Sequence, residues 1–182
     1  ELTMIRKDGV DYYLKTVHGK TEVGRIIEEW LSPKSKYKTE LAAAIAWQPS
    51  QSGRHPFLVQ LLTKEGETIG LAWYGVIPFV LSERELAYDR YICQAIEVAK
   101  PYRNNELGRM IMARGLEEIL TLDYVDEYLD DPIILQVDKD ELQNISRYRK
   151  WGFRTIIDGD SIGDIANNRM DWMATSYERA EK

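Results

Sequence analysis

Two short stretches of this chain carry polar and aromatic residues that could hold a ligand and act on it. Residues 98–108 read VAKPYRNNELG and lead from an apolar stretch into an amphipathic one, and residues 148–153 read YRKWGF. A turn that feeds directly into a helix exposes backbone N–H groups and the positive end of the helix dipole, which attract phosphate. Tyr148 is either a proton donor beside a ligand or a helix residue that packs its ring and hydrogen-bonds outward.

The turn in the first stretch has the residue types that a tight phosphate-binding loop needs. Asn104 and Asn105 can adopt the left-handed conformations that glycines usually supply, and Gly108 allows a close approach to the backbone. An ordinary surface helix would show the same residues, with Asn104 or Asn105 as the N-cap and Glu106 complementing the helix dipole. On this stretch alone, the two interpretations are about equal.

Three arginines around this turn could balance phosphate charges. Arg103 precedes the turn, and Arg109 and Arg114 follow it along the predicted helix. Because guanidinium groups bind phosphate oxygens in pairs, these side chains could create a locally positive site in an acidic protein.

The secondary structure predicted around these stretches indicates one α/β domain spanning residues 1–182. The hydrophobic pattern predicts, in chain order, strands at 2–6 and 12–17 around an Asp8-Gly9 turn, helices at 21–31 and 41–47, strands at 57–62, 68–76 and 91–99, a helix ending near 123, a strand at 133–137, a helix at 141–151, and strands at 153–157 and 170–175. The crossover at 103–132 is long enough for a parallel connection. We therefore expect a mixed, mostly antiparallel sheet with a central parallel βαβ unit and helices on both faces.

In this element order, the two stretches together resemble the GNAT superfamily of N-acetyltransferases. The resemblance implies the GNAT-like acyl-CoA N-acyltransferase fold and acetyl-CoA as the donor substrate. It implies that the first stretch wraps the pyrophosphate and that Tyr148 protonates the departing thiolate. The main chain at Val98 would polarise the thioester carbonyl and pair with pantetheine, in a gap where the strand ending at Ala99 splays from the strand at 133–137. The donor-binding residues implied are Val98, Arg103, Asn104, Asn105, Glu106, Leu107, Gly108 and Arg109.

Two positions depart from the family pattern. The usual Arg-x-x-Gly-x-Gly/Ala reads here from Arg103 to Gly108 with Glu106 at the first glycine, and Glu141 stands where the family often has Asn. A carboxylate ~4 Å from a phosphate costs ~1 kcal/mol even in water. That cost is tolerable if the Glu106 side chain points outward while its N–H points inward.

Glu97 is the candidate catalytic base, because it is the only carboxylate inside the predicted central strand and burying an acid there is costly. Alternation places it on the face opposite Ile96 and Val98, where it could instead be paired with a lysine or arginine on a neighbouring element. We prefer the paired interpretation, and a water chain without a single base is also open. Weaker candidates for the base are Asp138, Asp140, Glu83 and Glu85.

Charge and composition narrow the class of protein. A net charge of −6 argues against a nucleic-acid partner, and one cysteine with two histidines supplies too few ligands for a disulfide or a structural zinc site. We expect no metal. No apolar run reaches the ~20 residues of a membrane span. A soluble, cytoplasmic protein without a membrane partner is expected.

The resulting prediction is an N-acetyltransferase that moves an acetyl group from acetyl-CoA to a primary amine of a small molecule or peptide by direct attack. The departures at Glu106 and Glu141 keep two alternatives open. One is a catalytically inactive GNAT-like module that binds a ligand or a protein, and the other is an acyltransferase with a different donor, such as acyl carrier protein. The acceptor amine and the oligomeric state stay open, with a homodimer as one option.

Overall fold

The protein is described by a computed structural model, in which residues 2–30, 55–79, 88–103, 106–121, 133–138, 142–157 and 170–175 are placed. The elements in chain order are β1 Leu2–Lys7, β2 Val10–Val17, α1 Lys20–Trp30, β3 Phe57–Thr63, β4 Thr68–Phe79, β5 Tyr88–Val98, α2 Leu107–Thr121, β6 Ile133–Asp138, α3 Leu142–Lys150, β7 Arg154–Ile157 and β8 Met170–Thr175. A short 3-10 turn, Lys100–Tyr102, stands between β5 and α2. The predicted strands and helices are found within a few residues of their expected bounds, while the predicted helix at 41–47 lies outside the described residues.

The eight strands form one mixed sheet in the order β1-β2-β3-β4-β5-β6-β8-β7. Every neighbouring pair is antiparallel except β5 and β6, which run parallel. The chain passes through α2 between these two strands, as a parallel connection requires. The fold is therefore of the α/β class with a mostly antiparallel sheet.

The side chains of the central strands alternate between two apolar clusters, because successive residues of a strand point to opposite faces. On one face, Leu58 and Trp73 pack with Ile26 and Ile27 of α1. On the other face, neighbouring residues such as Tyr74 pack with side chains from α2 and α3. Helices thus cover both faces of the sheet. Helix α1 packs on one face, called the α1 face, and α2 and α3 pack on the other.

The β1–β2 hairpin turns at the pair that the sequence predicts. Asp8 has a φ of 53° and Gly9 a φ of 79°. Two consecutive left-handed residues match the twist of an antiparallel hairpin, which explains the preference for Asp-Gly at this place. The turn brings Lys7 opposite Val10 in the strand register.

Close packing of α2 on the sheet depends on Gly115. A side chain there would overlap the ring of Tyr74, which is fully buried beneath the helix. Burial also raises the pKa of Tyr74 well above its usual value.

The described helices include none that is long and apolar enough to span a membrane.

Candidate active site

A gap opens in the middle of the sheet where β5 and β6 part. Their pairing is restricted to Tyr91 with Ile133 and Ile92 with Ile134, although both strands continue beyond these pairs. A bulge lies at the same place, because Trp73 and Tyr74 of β4 face Ala95 and Cys93 and leave Gln94 as an extra residue. A bulge bends its strand and increases the local twist. It therefore helps to turn the end of β5 away from β6.

The main chain of Val98 faces this gap. Ala99 N–H donates to Ile69 O at 2.7 Å, so this pair is hydrogen-bonded across β4 and β5. Bonded and non-bonded pairs alternate in an antiparallel ladder, which puts Val98, opposite Gly70, in a non-bonded pair. Its N–H and C=O consequently point away from β4 and toward the separating β6. The C=O accepts a hydrogen bond of 2.9 Å from Arg103 Nε.

A cavity of about 700 Å³ extends from this gap. It is bounded by the end of β5, the 3-10 turn, the start of α2 and the last turns of α3. The lining residues are Ile96, Glu97, Val98, Tyr102, Arg103, Glu106, Leu107, Gly108, Arg109, Asn144, Arg147, Tyr148, Lys150 and Trp151. The two stretches singled out in the sequence therefore form walls of one cavity.

The first turn of α2 presents backbone donors to the cavity. Met110 N–H donates to Glu106 O at 3.3 Å at the start of the helix. The N–H groups of Leu107 and Gly108 lie in the first turn, where an α-helix leaves its backbone donors without intrahelical acceptors. These N–H groups and the positive end of the helix dipole can together bind an anion.

Glu106 has the backbone conformation that the family pattern assigns to glycine. Its φ is 60°, in the left-handed region that costs a residue with a side chain roughly 1–2 kcal/mol. Its carboxylate turns outward, where Glu106 Oε2 lies 3.3 Å from Lys7 Nζ and the side chain is 63% exposed. Glu106 thus has the left-handed φ that a glycine would readily adopt, while its carboxylate lies next to Lys7 of β1. The neighbouring Asn104 and Asn105 lie outside the described residues, as does Glu141.

The cavity wall carries more positive than negative groups. Arg109, Arg147 and Lys150 line it together with Arg103. Arg103 also approaches Glu97, with its guanidinium nitrogen 4.0 Å from Oε1. The local charge is accordingly positive although the whole chain is acidic.

The prediction that Arg114 faces the phosphates is wrong. Arg114 is absent from the cavity wall and lies 3.6 Å from Glu117 and 3.5 Å from Glu118. Five residues of an α-helix turn the side chain through about 140° relative to Arg109, which explains why only one of the two lines the cavity.

Tyr148 lies near the C-terminal end of α3, with only 9% of its surface exposed. Phe153 N–H donates to Tyr148 O, and Gly152 N–H donates to Arg149 O, each at 3.0 Å. This is the hydrogen-bond pattern of a Schellman cap, and Gly152 is left-handed with a φ of 97°, a conformation that glycine adopts readily. The Tyr148 ring also meets the ring of Phe153, at a centroid distance of 5.9 Å. The hydroxyl-bearing ring is therefore held by its backbone and by its neighbours.

Trp151 joins the two stretches, and sequence reasoning did not identify it. Its ring lies 5.5 Å from that of Tyr148, and a Cβ added to Gly108 would be 3.1 Å from Trp151 Cη2. The start of α2 can therefore approach the end of α3 because residue 108 has no side chain. Only the aromatic character of Trp151, within the second motif, could have indicated this role.

Glu97 lies on the α1 face, opposite Tyr148. Trp30 Nε1–H donates to Glu97 Oε2 at 3.0 Å, and the carboxylate side chain is 16% exposed. Together with the approach of Arg103, this contact agrees with the interpretation that Glu97 is paired, although one partner is a tryptophan that the sequence did not indicate. Asp140, Glu83 and Glu85 lie outside the described residues, and only the backbone of Asp138 is described.

Cys93 is too deeply buried to act as a nucleophile. Burial raises the pKa of its thiol to about 12. A thiol with that pKa stays protonated at neutral pH, and only the thiolate attacks an acyl group readily. Among the described residues, no group of three His, Cys, Asp or Glu side chains could hold a metal ion.

Solved structures of acetyltransferases share this fold. *Arabidopsis thaliana* Naa50 in complex with the bisubstrate analogue CoA-Ac-MVNAL matches with 17% identity and a TM-score of 0.52, covering 90% of this chain and 98% of that one. *Arabidopsis thaliana* NAA60 in complex with acetyl-CoA matches with 10% identity and a TM-score of 0.53, over 90% and 95% of the two chains. The spermidine/spermine N-acetyltransferase SpeG from *Vibrio cholerae* matches with 14% identity and a TM-score of 0.53, over 93% and 97%.

A comparison with curated protein sequences finds no match. The profile of the acetyltransferase (GNAT) family, in contrast, matches residues 24–153, which is well over half of the chain. The matched region contains the sheet gap, the start of α2 and the end of α3. The chain therefore belongs to the GNAT acetyltransferase family.

Proposed function

We propose that this protein transfers an acetyl group from acetyl-CoA to a primary amine by direct attack. The observation that carries the proposal is the Val98 main chain, which faces a gap in the sheet at one end of a cavity that also holds a helix N-terminus and Tyr148. Such a cavity offers an anion site, a peptide N–H and a hydroxyl to one extended ligand.

The donor would lie along the cavity with its pyrophosphate at the start of α2. The N–H groups of Leu107 and Gly108 would bind the phosphate oxygens, and the Arg109 and Lys150 side chains would contribute positive charge. Two structural relatives, NAA60 and Naa50, are bound to acetyl-CoA and to a CoA-containing analogue. Pantetheine would then run through the gap and pair with the main chain of β5.

The chemical step needs few groups. The amine nitrogen attacks the thioester carbonyl carbon, and Val98 N–H stabilises the negative charge that develops on the oxygen. The carbon–sulfur bond then breaks, and Tyr148 O–H donates its proton to the departing thiolate sulfur. Since Cys93 is buried and protonated, direct attack is a simpler route than an acyl-enzyme at that residue.

We propose that water, and not Glu97, removes the proton from the attacking amine. The Glu97 carboxylate already accepts a hydrogen bond from Trp30 and lies near Arg103. Its position on the α1 face still places it on the side from which the amine would approach the gap. Glu97→Gln, which keeps the size and the acceptor oxygen, should therefore reduce turnover by less than about 3-fold, whereas a catalytic base usually contributes 10²-fold or more.

The alternatives, an inactive module or an acyl-carrier-protein donor, rested on the departures at Glu106 and Glu141, of which only Glu106 lies among the described residues. The Glu106 carboxylate lies 3.3 Å from the Lys7 ammonium, so its charge is partly balanced and is a weaker reason for preferring either alternative. Neither is needed to account for the geometry of the cavity.

Thermal melting with CoA and a thiol-release assay test the proposal. A ligand at 100 times its Kd should stabilise the protein by ~2.7 kcal/mol. Acetyl-CoA should release free thiol when an amine from a panel of spermidine, lysine and short peptides is added. If CoA at millimolar concentration shifts no melting curve, the donor assignment fails. If CoA binds but no amine releases thiol, the inactive module is the better description.

A further inference from the structure

We propose that Lys7 is a positioning residue for donor binding, which acts by holding the carboxylate of Glu106 away from the phosphate-binding turn. This inference rests on the proposed function and adds a residue to it. Lys7 lies in β1, 99 positions before Glu106 in the chain. The family profile begins at residue 24, so the β1–β2 hairpin lies outside the matched region.

The hairpin contacts the donor-binding segment at two points. Lys7 Nζ lies 3.3 Å from Glu106 Oε2, at the residue before α2. Tyr12 of β2 meets Tyr102 of the 3-10 turn edge to face, at a centroid distance of 6.5 Å. Tyr102 and Glu106 both line the cavity. The hairpin therefore contacts the donor-binding segment at Tyr102 and at Glu106.

The contact of Lys7 with Glu106 counteracts the repulsion between the Glu106 carboxylate and a bound anion. An acidic side chain at this position could point at the bound anion, and two like charges ~4 Å apart repel even in water. The Lys7 ammonium lies outside the cavity wall and attracts the carboxylate outward. The Lys7 side chain is 29% exposed, against 63% for Glu106, so more of the lysine side chain is covered by the protein.

The strand register fixes the place of Lys7. It is the last residue of β1 and pairs with Val10 across the tight turn at Asp8 and Gly9. Its neighbour Arg6 points to the other face of the hairpin, because side chains alternate along a strand, and it pairs with Asp11 at 2.8 Å. Arg6 is thus a matched control, with the same charge one residue away and no contact with the turn.

The first experiment measures the Kd of CoA by calorimetry for the wild type, Lys7→Ala and Arg6→Ala. Lys7→Ala should weaken CoA binding by about 3- to 10-fold, because the freed carboxylate repels the phosphates. Arg6→Ala removes the same charge from the same hairpin and should change the Kd by less than about 1.5-fold. If both variants weaken binding equally, a general charge effect explains the result and the proposal is overturned.

The second experiment repeats Lys7→Ala in a Glu106→Gln background, in which no carboxylate remains to be held. Glu106→Gln alone should bind CoA as tightly as the wild type or more tightly. Lys7→Ala should then have almost no effect, since the two residues are coupled. An equal loss in both backgrounds would mean that Lys7 acts independently of Glu106 and would overturn the proposal.

The same data separate this inference from the proposed function. Wild-type binding of CoA without any effect of Lys7→Ala refutes only the role of Lys7. Absence of wild-type binding refutes the donor assignment and, with it, the positioning role. Circular dichroism of each variant checks that a weaker Kd does not come from unfolding.

Discussion

Glu106 and Gly152 both have a positive φ. Glu106 directly precedes α2, Gly152 follows the end of α3, and both helices line the same cavity. Each is followed by a buried apolar residue, Leu107 in one case and Phe153 in the other. At Gly152 the absence of a side chain and two local hydrogen bonds account for the conformation. At Glu106 a side chain is present, so the left-handed backbone is strained, and the carboxylate lies next to Lys7, 99 positions earlier in the chain.

The difference shows two ways in which a protein can place a turn. The turn at Gly152 is specified locally, because the residue type prefers the required φ. The turn at Glu106 depends on tertiary contacts, because the residue type disfavours it. We therefore expect changes around Gly152 to affect stability and changes at Glu106 to affect donor binding.

The largest effect should follow Phe153→Ala. Phe153 is 3% exposed and packs against Tyr148 just after the cap, so its truncation should lower the free energy of unfolding by about 3–5 kcal/mol. Urea denaturation measures this change. Phe153→Leu keeps most of the buried volume and should cost clearly less, and equal losses for the two variants would argue against a packing role.

Tyr148→Phe should come next, with a turnover loss of about 10-fold or more, equivalent to ~1.4 kcal/mol in the barrier. The ring contacts with Trp151 and Phe153 remain, so CoA affinity and stability should hardly change. Steady-state kinetics with saturating donor test this prediction. Unchanged turnover would remove Tyr148 as the acid.

Gly152→Ala should lower the free energy of unfolding by about 1 kcal/mol, because alanine is strained at a φ of 97°. Gly24 supplies the control, since it lies inside α1 with no atom within 4 Å of an added Cβ. Gly24→Ala should stabilise the protein by about 0.5–1 kcal/mol. The comparison fails if thermal melting moves both variants in the same direction.

Glu106→Gly should have the smallest effect on stability, below about 1 kcal/mol. Relief of the left-handed strain is offset by the freedom that glycine adds to the unfolded chain and by loss of the exposed pair with Lys7. CoA should bind somewhat more tightly, because no carboxylate remains beside the phosphates. A stability loss above about 2 kcal/mol would contradict this account of the turn.

The parts of this molecule that could be predicted from sequence are those in which local residue preferences determine the backbone conformation. The Asp8-Gly9 turn and the cap at Gly152 combine residues that favour one backbone conformation, and both are found. Nearly continuous apolar runs similarly predict the central strands β3 and β4. In each case the determining interaction lies within a few residues of the chain.

Contacts between distant residues could not be predicted in this way. The contact of Lys7 with Glu106 spans 99 positions and that of Trp30 with Glu97 spans 67. An acid inside β5 indicated that a partner was needed, but no local pattern could select an indole over a lysine. Arg114 was wrongly assigned to the phosphate site because it lies on the same helix as Arg109. The rotation of the helix between the two positions turns its side chain away from the cavity.

The exposed main chain of Val98 has a consequence for how this site would respond to random mutation. Recognition by a peptide N–H survives nearly every exchange of side chain, so alanine scanning of this strand end would report a tolerant position. Proline is the exception, because it has no N–H to offer. In a deep mutational scan scored for activity, variants with small apolar residues at position 98 should therefore stay active, and the proline variant should be inactive. This result would mark position 98 as one where the backbone and not the side chain is under selection.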